Sequence, residues 1–299
     1  EKMYGSSVFW NREGIGIGVM GGINIAMYDL LGKRMKTPVF KLLGGLQKEN
    51  IKIYASNGLF DNSKQLLEDA KKAYSLGFRV YKMRVIDPDT ISDLVKSFNK
   101  KFKNRMQLIV DAVQGSSANP WATKVSINLA KKLEREEIVF LEEPCRVENI
   151  KGYKDIKKFS TLNIAGAESI PTARAFKKYL EEDVFDILQF DIATSGFIEG
   201  RRICDLAYIH NKPVAIHSWG SAISIMAGIH LGLTVPNVAF TEYCFMDHPI
   251  NKELFENKKI KIMNGFTPKP NSHGLGVHFK DILSKKFQYK EKINTMIST

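Results

Sequence analysis

Met106-Gln107-Leu108-Ile109-Val110-Asp111-Ala112 is an apolar run that closes on an acid; an amphipathic stretch, Val125–Arg135, follows, and then Ile138-Val139-Phe140-Leu141-Glu142-Glu143 repeats the first pattern. Short runs rich in β-branched residues read as strands buried on both faces, and the stretch between them reads as the helix that covers one face. Strand, helix, strand in that order implies parallel pairing through a right-handed crossover. The same rhythm extends in both directions. Further strand candidates are Ile51–Ala55, Arg79–Val85, Leu162–Glu168, Ile187–Ile192, Pro213–Ser218 and Val238–Tyr243. Helical patterns lie between most of them, at Ser63–Leu76, Ile91–Phe102, Ala173–Leu180, Gly200–Ile209 and Ala222–Leu233. Eight such units in about 200 residues suit a TIM-type (β/α) barrel in the α/β class. A doubly wound open sheet is the alternative. It would want a Gly-rich phosphate loop after its first strand, and Ala55-Ser56-Asn57-Gly58 is not one.

The flanks differ from this rhythm. Ile15–Met35 carries apolar residues at helical spacing, Thr37-Pro38 breaks it, and Val39–Leu43 ends at Gly44-Gly45. After about residue 245 the alternation gives way to Pro249, Gly265, Pro268, Pro270, Gly274 and Gly276. The expected division is 1–48 as a helical part of a flanking domain, 49–245 as the barrel, and 246–299 as a segment packing back on both.

A chain of 299 residues with 44% hydrophobic and 25% charged residues is long enough for one large core and shows no sign of disorder. The net charge of +12 could attract nucleic acid, an anionic membrane or acidic small molecules. The basic clusters, such as Lys258-Lys259 and Lys285-Lys286, are short and scattered, and none alternates with aromatics as a base-stacking surface would. A Lys-rich solvated surface is the plainer reading, with neither nucleic acid nor membrane as partner. Cys145, Cys204 and Cys244, with no CxxC spacing, argue against a disulfide framework or zinc ribbon and fit a cytoplasmic setting. No uninterrupted apolar run of about 18 residues is present, so no membrane span is expected. Glu1-Lys2-Met3-Tyr4 is not a signal peptide, and a start without Met suggests a chain that begins inside a longer protein.

The chemistry lies in where polar residues fall. Lys82 and Arg84 lie in the second strand candidate; Asp111, Glu142 and Glu168 end the third, fourth and fifth; Asp191, His217 and Glu242 lie in the sixth, seventh and eighth. From Asp111 onward the separations are 31, 26, 23, 26 and 25 residues, one βα unit each. Singly, a strand-end acid is usually a helix cap or a surface charge, and a lone His is usually structural. Jointly, at one register, they would converge on the active-site mouth of a barrel. Three carboxylates from adjacent strands repel one another without a cation. Oxygen-only ligands suit a hard ion such as Mg²⁺ better than zinc.

These residues lie within motifs that resemble the enolase superfamily, mandelate racemase subgroup (the mandelate racemase/muconate lactonizing enzyme family). The similarity runs from Gly21-Gly22-Ile23-Asn24 through Asp29-Leu30-Leu31-Gly32-Lys33 and Pro38–Gly45 to Lys82-Met83-Arg84 and Val110-Asp111-Ala112. It continues through Phe140-Leu141-Glu142-Glu143-Pro144, Gly166-Ala167-Glu168, Gln189-Phe190-Asp191, Ile216-His217-Ser218-Trp219-Gly220 and Glu242. The resemblance implies a (β/α)7β barrel under part of an α+β capping domain. It also implies Asp111, Glu142 and Glu168 as ligands of one Mg²⁺ (Mn²⁺ as a substitute) and Lys82 with Arg84 as the lysine pair. Asp191–His217 would be the subgroup's dyad, and Glu242 an acid near the substrate carboxylate. Two positions depart from the pattern: Arg84 replaces a second lysine, and Val113 stands where relatives often carry Asn. Relatives also carry an N-terminal segment whose loops close over the substrate, and its counterpart is expected to be missing from this sequence.

The expected reaction is removal of a proton α to a carboxylate, with a cation offsetting the enediolate charge. A Lys or His base working beside Mg²⁺ is general to the superfamily that the chain resembles. His217, held by Asp191, is the expected base with a pKa not far from neutral, and Lys82 is expected to be pushed towards its neutral form by Arg84. Arginine is a poor proton acceptor. A one-sided reaction, dehydration of an acid sugar to a 2-keto-3-deoxy acid, is therefore preferred. The alternatives are a racemase or epimerase of a 2-hydroxy acid and, in a different class, a non-catalytic metal-binding barrel. A homo-oligomer acting on a small carboxylate is the expected assembly.

Overall fold

The computed structural model describes residues 2–9, 11–246, 249–255, 260–279 and 285–287. Helices α1 (Lys2–Ser7), α2 (Ile15–Arg34) and α3 (Val39–Leu42) come first. The barrel follows as β1 (Asn50–Leu59), α4 (Ser63–Ser75), β2 (Val80–Arg84), α5 (Pro88–Phe102), β3 (Gln107–Asp111), α6 (Thr123–Leu133), β4 (Ile138–Glu142), α7 (Ile150–Phe159) and β5 (Ile164–Gly166). It is completed by α8 (Ala173–Glu181), β6 (Ile187–Leu188), α9 (Ile192–Ile209), β7 (Val214–Ile216), α10 (Ala222–Gly232) and β8 (Val238–Cys244). α11 (Pro249–Leu254) and β9 (Phe266–Pro268) lie beyond it. β1 to β8 pair in parallel in chain order, and β8 closes on β1 through Tyr54↔Glu242, so the sheet is a barrel and not an open one.

Strand alternation explains how the barrel is filled. Tyr54, Val80, Ile109, Phe140, Ala165, Ile187, Ala215 and Phe240, one from each strand, form a buried apolar layer inside it. Side chains two residues further along a strand share the same face. The next inward layer is therefore Ser56, Lys82, Asp111, Glu142, Ala167, Gln189, His217 and Glu242. An apolar plug supports a polar floor, and the change occurs within one strand step. Outside, the buried faces of the helices pack on the sheet's outer face, and Asn62, Asp87, Asn149, Thr172, Asp191 and Ser221 cap their N-termini with side-chain oxygens.

α2 lies across α9. A Cβ on Gly21 would sit 2.2 Å from the Thr194 carbonyl oxygen, so only glycine allows this approach. Asn24 accepts from the Phe197 N–H beside Gly196, whose φ of 64° kinks α9. The other face of α2 leaves Ile15, Val19, Met27 and Leu30 exposed. By length and composition alone α2 would also be long and apolar enough to cross a membrane, although Asn24 and Asp29 interrupt its apolar run and one face packs on α9. The segment around Gly274 returns to these helices: Val39 N–H donates to Gly274 O, Leu275 N–H to Asp29, and Lys33 Nζ to Val277 O. Lys258-Lys259 and residues 280–284 and 288–299 lie outside the described residues.

Three expectations need correction. The sixth strand ends at Leu188, so Asp191 is not within it; Asp191 makes a single bridge with His217 and caps α9, accepting from Thr194 N–H at 2.8 Å. α9 begins at Ile192, earlier than Gly200. α7 stands where the helical patterns leave a gap, although Tyr153 and Ile156 give it a buried face.

Candidate active site

The floor of the barrel mouth is a buried charge cluster. Lys82, 2% exposed, places Nζ 2.7 Å from Glu142 Oε1, 3.0 Å from Glu242 Oε1 and 3.4 Å from Asp111 Oδ2. Burial alone would lower its pKa, but Glu142, Glu242 and Asp111 lift it well above the ordinary lysine value. In metal-free protein these acids favour the ammonium form of Lys82, a direction opposite to the one expected from Arg84. Arg84 is engaged elsewhere: its guanidinium lies 3.7 Å over the Trp219 ring and its Nε donates to the Asn57 carbonyl at 2.9 Å.

The dyad stands on the other side of the floor. His217 Nδ1 is 2.7 Å from Asp191 Oδ2, while Nε2 faces Glu168 Oε2 at 3.1 Å and Glu242 Oε2 at 3.4 Å. Burial would depress the imidazole pKa, but Glu242, Glu168 and Asp191 raise it to about 10. In metal-free protein that lies above the near-neutral value expected of a base, and the three surrounding carboxylates account for the difference. Glu242 itself, fully buried, would be raised by burial but is held down to about 2 by Lys82 and His217. Ser218 donates its N–H to Oε2 of Glu242 at 3.0 Å, and the Ser218 hydroxyl donates to the Glu242 carbonyl at 2.7 Å.

Asp111 and Glu142 end β3 and β4, in register with Arg84 on β2, whereas Glu168 lies two residues past the end of β5 and not on the strand as expected. The backbone just past these ends is unusual. Val113 (φ 54°), Glu143 (φ 43°) and Ala167 (φ 84°) all adopt the left-handed region that non-glycine residues avoid. Three consecutive βα loops thus carry backbone strain where they aim acids, a common mark of functional sites. Among the described residues no three acids, histidines or cysteines converge as a ready ligand cluster, because Lys82 pairs with Asp111 and Glu142 while Glu168 pairs with His217. The donors nevertheless fit a hard divalent cation. Burial pushes Glu142 up to about 8, and Asp111, Glu242 and Glu168 add to the push against Lys82. Glu142 Oε2 is buried without a hydrogen-bond partner, as is Glu143 Oε1. Unpartnered buried carboxylate oxygens amid an excess of acids are a donor set that lacks positive charge.

Three further residues belong to the site although the sequence motifs give them no role. Glu143 is buried beside Glu168 and Asp111, which together with burial raise its pKa well above the carboxylate range. Gln189 is fully buried with both amide atoms unpartnered, and Ser56 shares that condition on β1. Inward strand register identifies both Gln189 and Ser56; nothing in local sequence singles out the Trp219 contact with Arg84.

Comparison with known proteins agrees with this architecture. A family described as Enolase C-terminal domain-like matches residues 65–282. The arabinonate dehydratase of Saccharolobus solfataricus is 26% identical over 296 residues, covering 97% of this chain and 77% of that protein. The crystal structure of the 3,6-anhydro-D-galactonate cycloisomerase from Zobellia galactanivorans superposes with a TM-score of 0.87 at 30% identity, covering 97% of this chain and 80% of that one. A racemase from Streptomyces coelicolor A3(2) with bound magnesium shares the fold, with a TM-score of 0.80 at 24% identity over 93% of this chain and 74% of its own. The chain is an enzyme and belongs to the Enolase C-terminal domain-like family, within the mandelate racemase subgroup of the enolase superfamily.

Proposed function

We propose that this enzyme removes the proton α to the carboxylate of an acid sugar and expels the β-oxygen, giving a 2-keto-3-deoxy acid. The observation that carries this reading is the asymmetry of the mouth. Of the two groups that the resemblance sets on opposite sides, His217 is an imidazole oriented by Asp191 at 2.7 Å, and Arg84 is a guanidinium stacked 3.7 Å over Trp219. Arginine keeps its protons, so only one side can accept one. Racemisation needs two such groups, and elimination needs one.

His217 Nε2 takes the α-proton, and the C–H pair moves into the enediolate. Asp191 fixes the tautomer and supports the imidazolium. The enediolate then re-forms its carbonyl side as the β C–O bond breaks. The departing oxygen takes a proton from His217, so water leaves and the resulting enol tautomerises to the ketone. Lys82, as an ammonium on the floor, is an electrostatic partner to the growing negative charge, and Arg84 holds a carboxylate or hydroxyl through its directed donors. Asp111, Glu142 and Glu168 would hold one Mg²⁺ or Mn²⁺, which when bound would neutralise the acids that keep His217 protonated and offset charge on the substrate carboxylate.

A second reading is favoured by the similarity to a 3,6-anhydro-D-galactonate cycloisomerase. In a 3,6-anhydro acid the β-oxygen belongs to a ring. The same elimination would open that ring, and the product would be an isomer with no water released. Incubation with panels of acid sugars and anhydro acids, with the products read by mass and by keto-acid derivatisation, tests both. Dehydration gives a keto acid lighter by one water, and ring opening gives an isobaric keto acid. An epimer without any keto product would refute both readings. A cytoplasmic setting and a homo-oligomeric assembly belong to the same proposal.

A further inference from the structure

The net charge of +12 finds no place at the mouth, where acids dominate. Part of it gathers at the opposite end, where seven cations and two acids line one cleft. A cleft of about 1090 Å³ lies against the N-terminal ends of β2, β3 and β4, where Val80 pairs with Gln107 and Leu108 with Ile138. Lys96, Lys100 and Lys103 reach it from the end of α5, Arg105 from the turn that follows, and Arg135 from beyond α6. Lys52 on β1 and Arg79 before β2 complete the set, and only Glu136 and Glu137 oppose it.

Cations at helix C-termini are commonplace, since they complement the helix dipole. The far side of the same barrel end shows what that ordinary arrangement looks like here. Lys157 pairs with Asp183 at 3.1 Å and Asp186 at 2.9 Å, and Lys212 pairs with Asp183 at 2.5 Å. Around the cleft, Lys100, Lys103 and Arg135 make no ion pair among the described residues, and Glu136 accepts from Asn99 at 3.1 Å. Several of the cations are also fixed in place. Arg79 lies 4.4 Å over the Tyr74 ring and donates to Phe78 O at 2.7 Å; Arg105 faces Tyr74 and Phe102 and donates to Lys101 O. Lys52 lies 4.7 Å over Phe240 and donates to Gln107 Oε1 at 3.1 Å. Lys96 has only a 3.8 Å contact with Asp93, and Glu136 and Glu137 are the acids that face seven cations across the cleft. Each exposed cation repels its neighbours weakly, but an anion carrying several charges would interact with all of them at once.

We propose that this cleft binds a small polyanion with closely spaced phosphate groups, an inorganic polyphosphate or a nucleoside polyphosphate. Nucleic acid fits less well, because the nearby aromatic faces are covered by Arg79 and Arg105 and offer no platform for bases.

Calorimetric titration of the Mg²⁺-loaded enzyme with tripolyphosphate and, separately, ATP tests this, at low salt with free Mg²⁺ held constant. Saturable binding at one site per chain is expected, and comparison of the two ligands tells whether the nucleoside adds anything. The triple variant Lys100→Glu/Lys103→Glu/Arg135→Glu should bind about tenfold more weakly or worse, with an unchanged circular dichroism spectrum. Arg84→Ala, at the mouth, should bind as the wild type does, which excludes the candidate active site. The proposal is overturned by non-saturable binding, by unchanged affinity in the triple variant, by loss of binding in Arg84→Ala, or by several chains binding one single-stranded oligonucleotide more tightly than tripolyphosphate. Should the triple variant misfold, Lys100→Gln/Arg135→Gln with the same readout replaces it.

Discussion

The two ends of this barrel handle charge in opposite ways. At the C-terminal end, Lys82, Glu142 and Glu242 are all at most 2% exposed and lie within 3.0 Å of their partners, so each charge depends on the others. At the N-terminal end, Lys100, Lys103 and Arg135 are exposed and answer mainly to water. Buried charge is costly unless compensated, whereas exposed charge is cheap and screened. The first end is thus a cooperative unit in which one change disturbs the protonation of several groups, and the second is a set of nearly independent contributions.

The sharpest way to break the comparison is at the acid floor. Removing divalent metal with a chelator should abolish turnover, and Mg²⁺ or Mn²⁺ should restore it; full activity in metal-free protein would sink the metal assignment. Glu168→Gln should weaken metal binding by calorimetry while leaving the melting temperature of metal-free protein nearly unchanged, since Glu168 is 33% exposed. The next effect concerns stability. Lys82→Met in metal-free protein should cost about 3–5 kcal/mol in urea unfolding, because it strands buried carboxylates. Lys100→Met, its counterpart at the other end, should stay within about 0.5 kcal/mol. Equal costs would erase the distinction between the two ends.

A third region separates buried titration from chemistry. His230, in the last turn of α10, is fully buried, accepting Phe40 N–H on Nδ1 at 3.1 Å, with Nε2 3.3 Å from Leu275 O. Burial depresses its pKa from 6.5 to about 4, opposite to His217, because no carboxylate cluster surrounds it. A depressed histidine stays neutral when folded, so the unfolded chain binds the extra proton. Its stabilising contribution is complete above pH 6.5 and is lost as pH falls towards 4. The loss is about 3 kcal/mol. Urea unfolding across that range should show a slope that flattens in His230→Gln, and identical slopes would contradict it. The smallest expected effect is at Val113, a β-branched residue at φ 54°. Asn tolerates that conformation better, so Val113→Asn should gain about 1 kcal/mol in the same urea measurement, and a loss would show that the Val113 side chain contributes more than its backbone strain costs.

What the sequence reveals follows the same division. The barrel and the ring of acids are legible because strand alternation is local: Ile109 and Asp111, or Phe140 and Glu142, differ by one strand step. The end of β6 is not, since Ile187–Ile192 reads as one strand and only tertiary pairing stops it at Leu188. Protonation is not legible either. Lys82 and His217 take their upward pKa shifts from carboxylates elsewhere in the chain, which outweigh the downward pull of burial. The basic cleft is hidden in the sequence because Lys52, Arg79, Lys100 and Arg135 are far apart in the chain, so each looks like an isolated surface charge.

The most direct test of the central claim is α-proton exchange in D₂O with the metal-loaded enzyme and an acid sugar that it consumes, followed by NMR in wild type and in His217→Asn. If His217 is the base, the wild type places deuterium at C3 of a 2-keto-3-deoxy product, and the variant loses about 10²–10⁴-fold in both exchange and elimination with metal still bound. Exchange at the wild-type rate in His217→Asn would contradict it, and would move the base from the Asp191–His217 side of the mouth to Lys82.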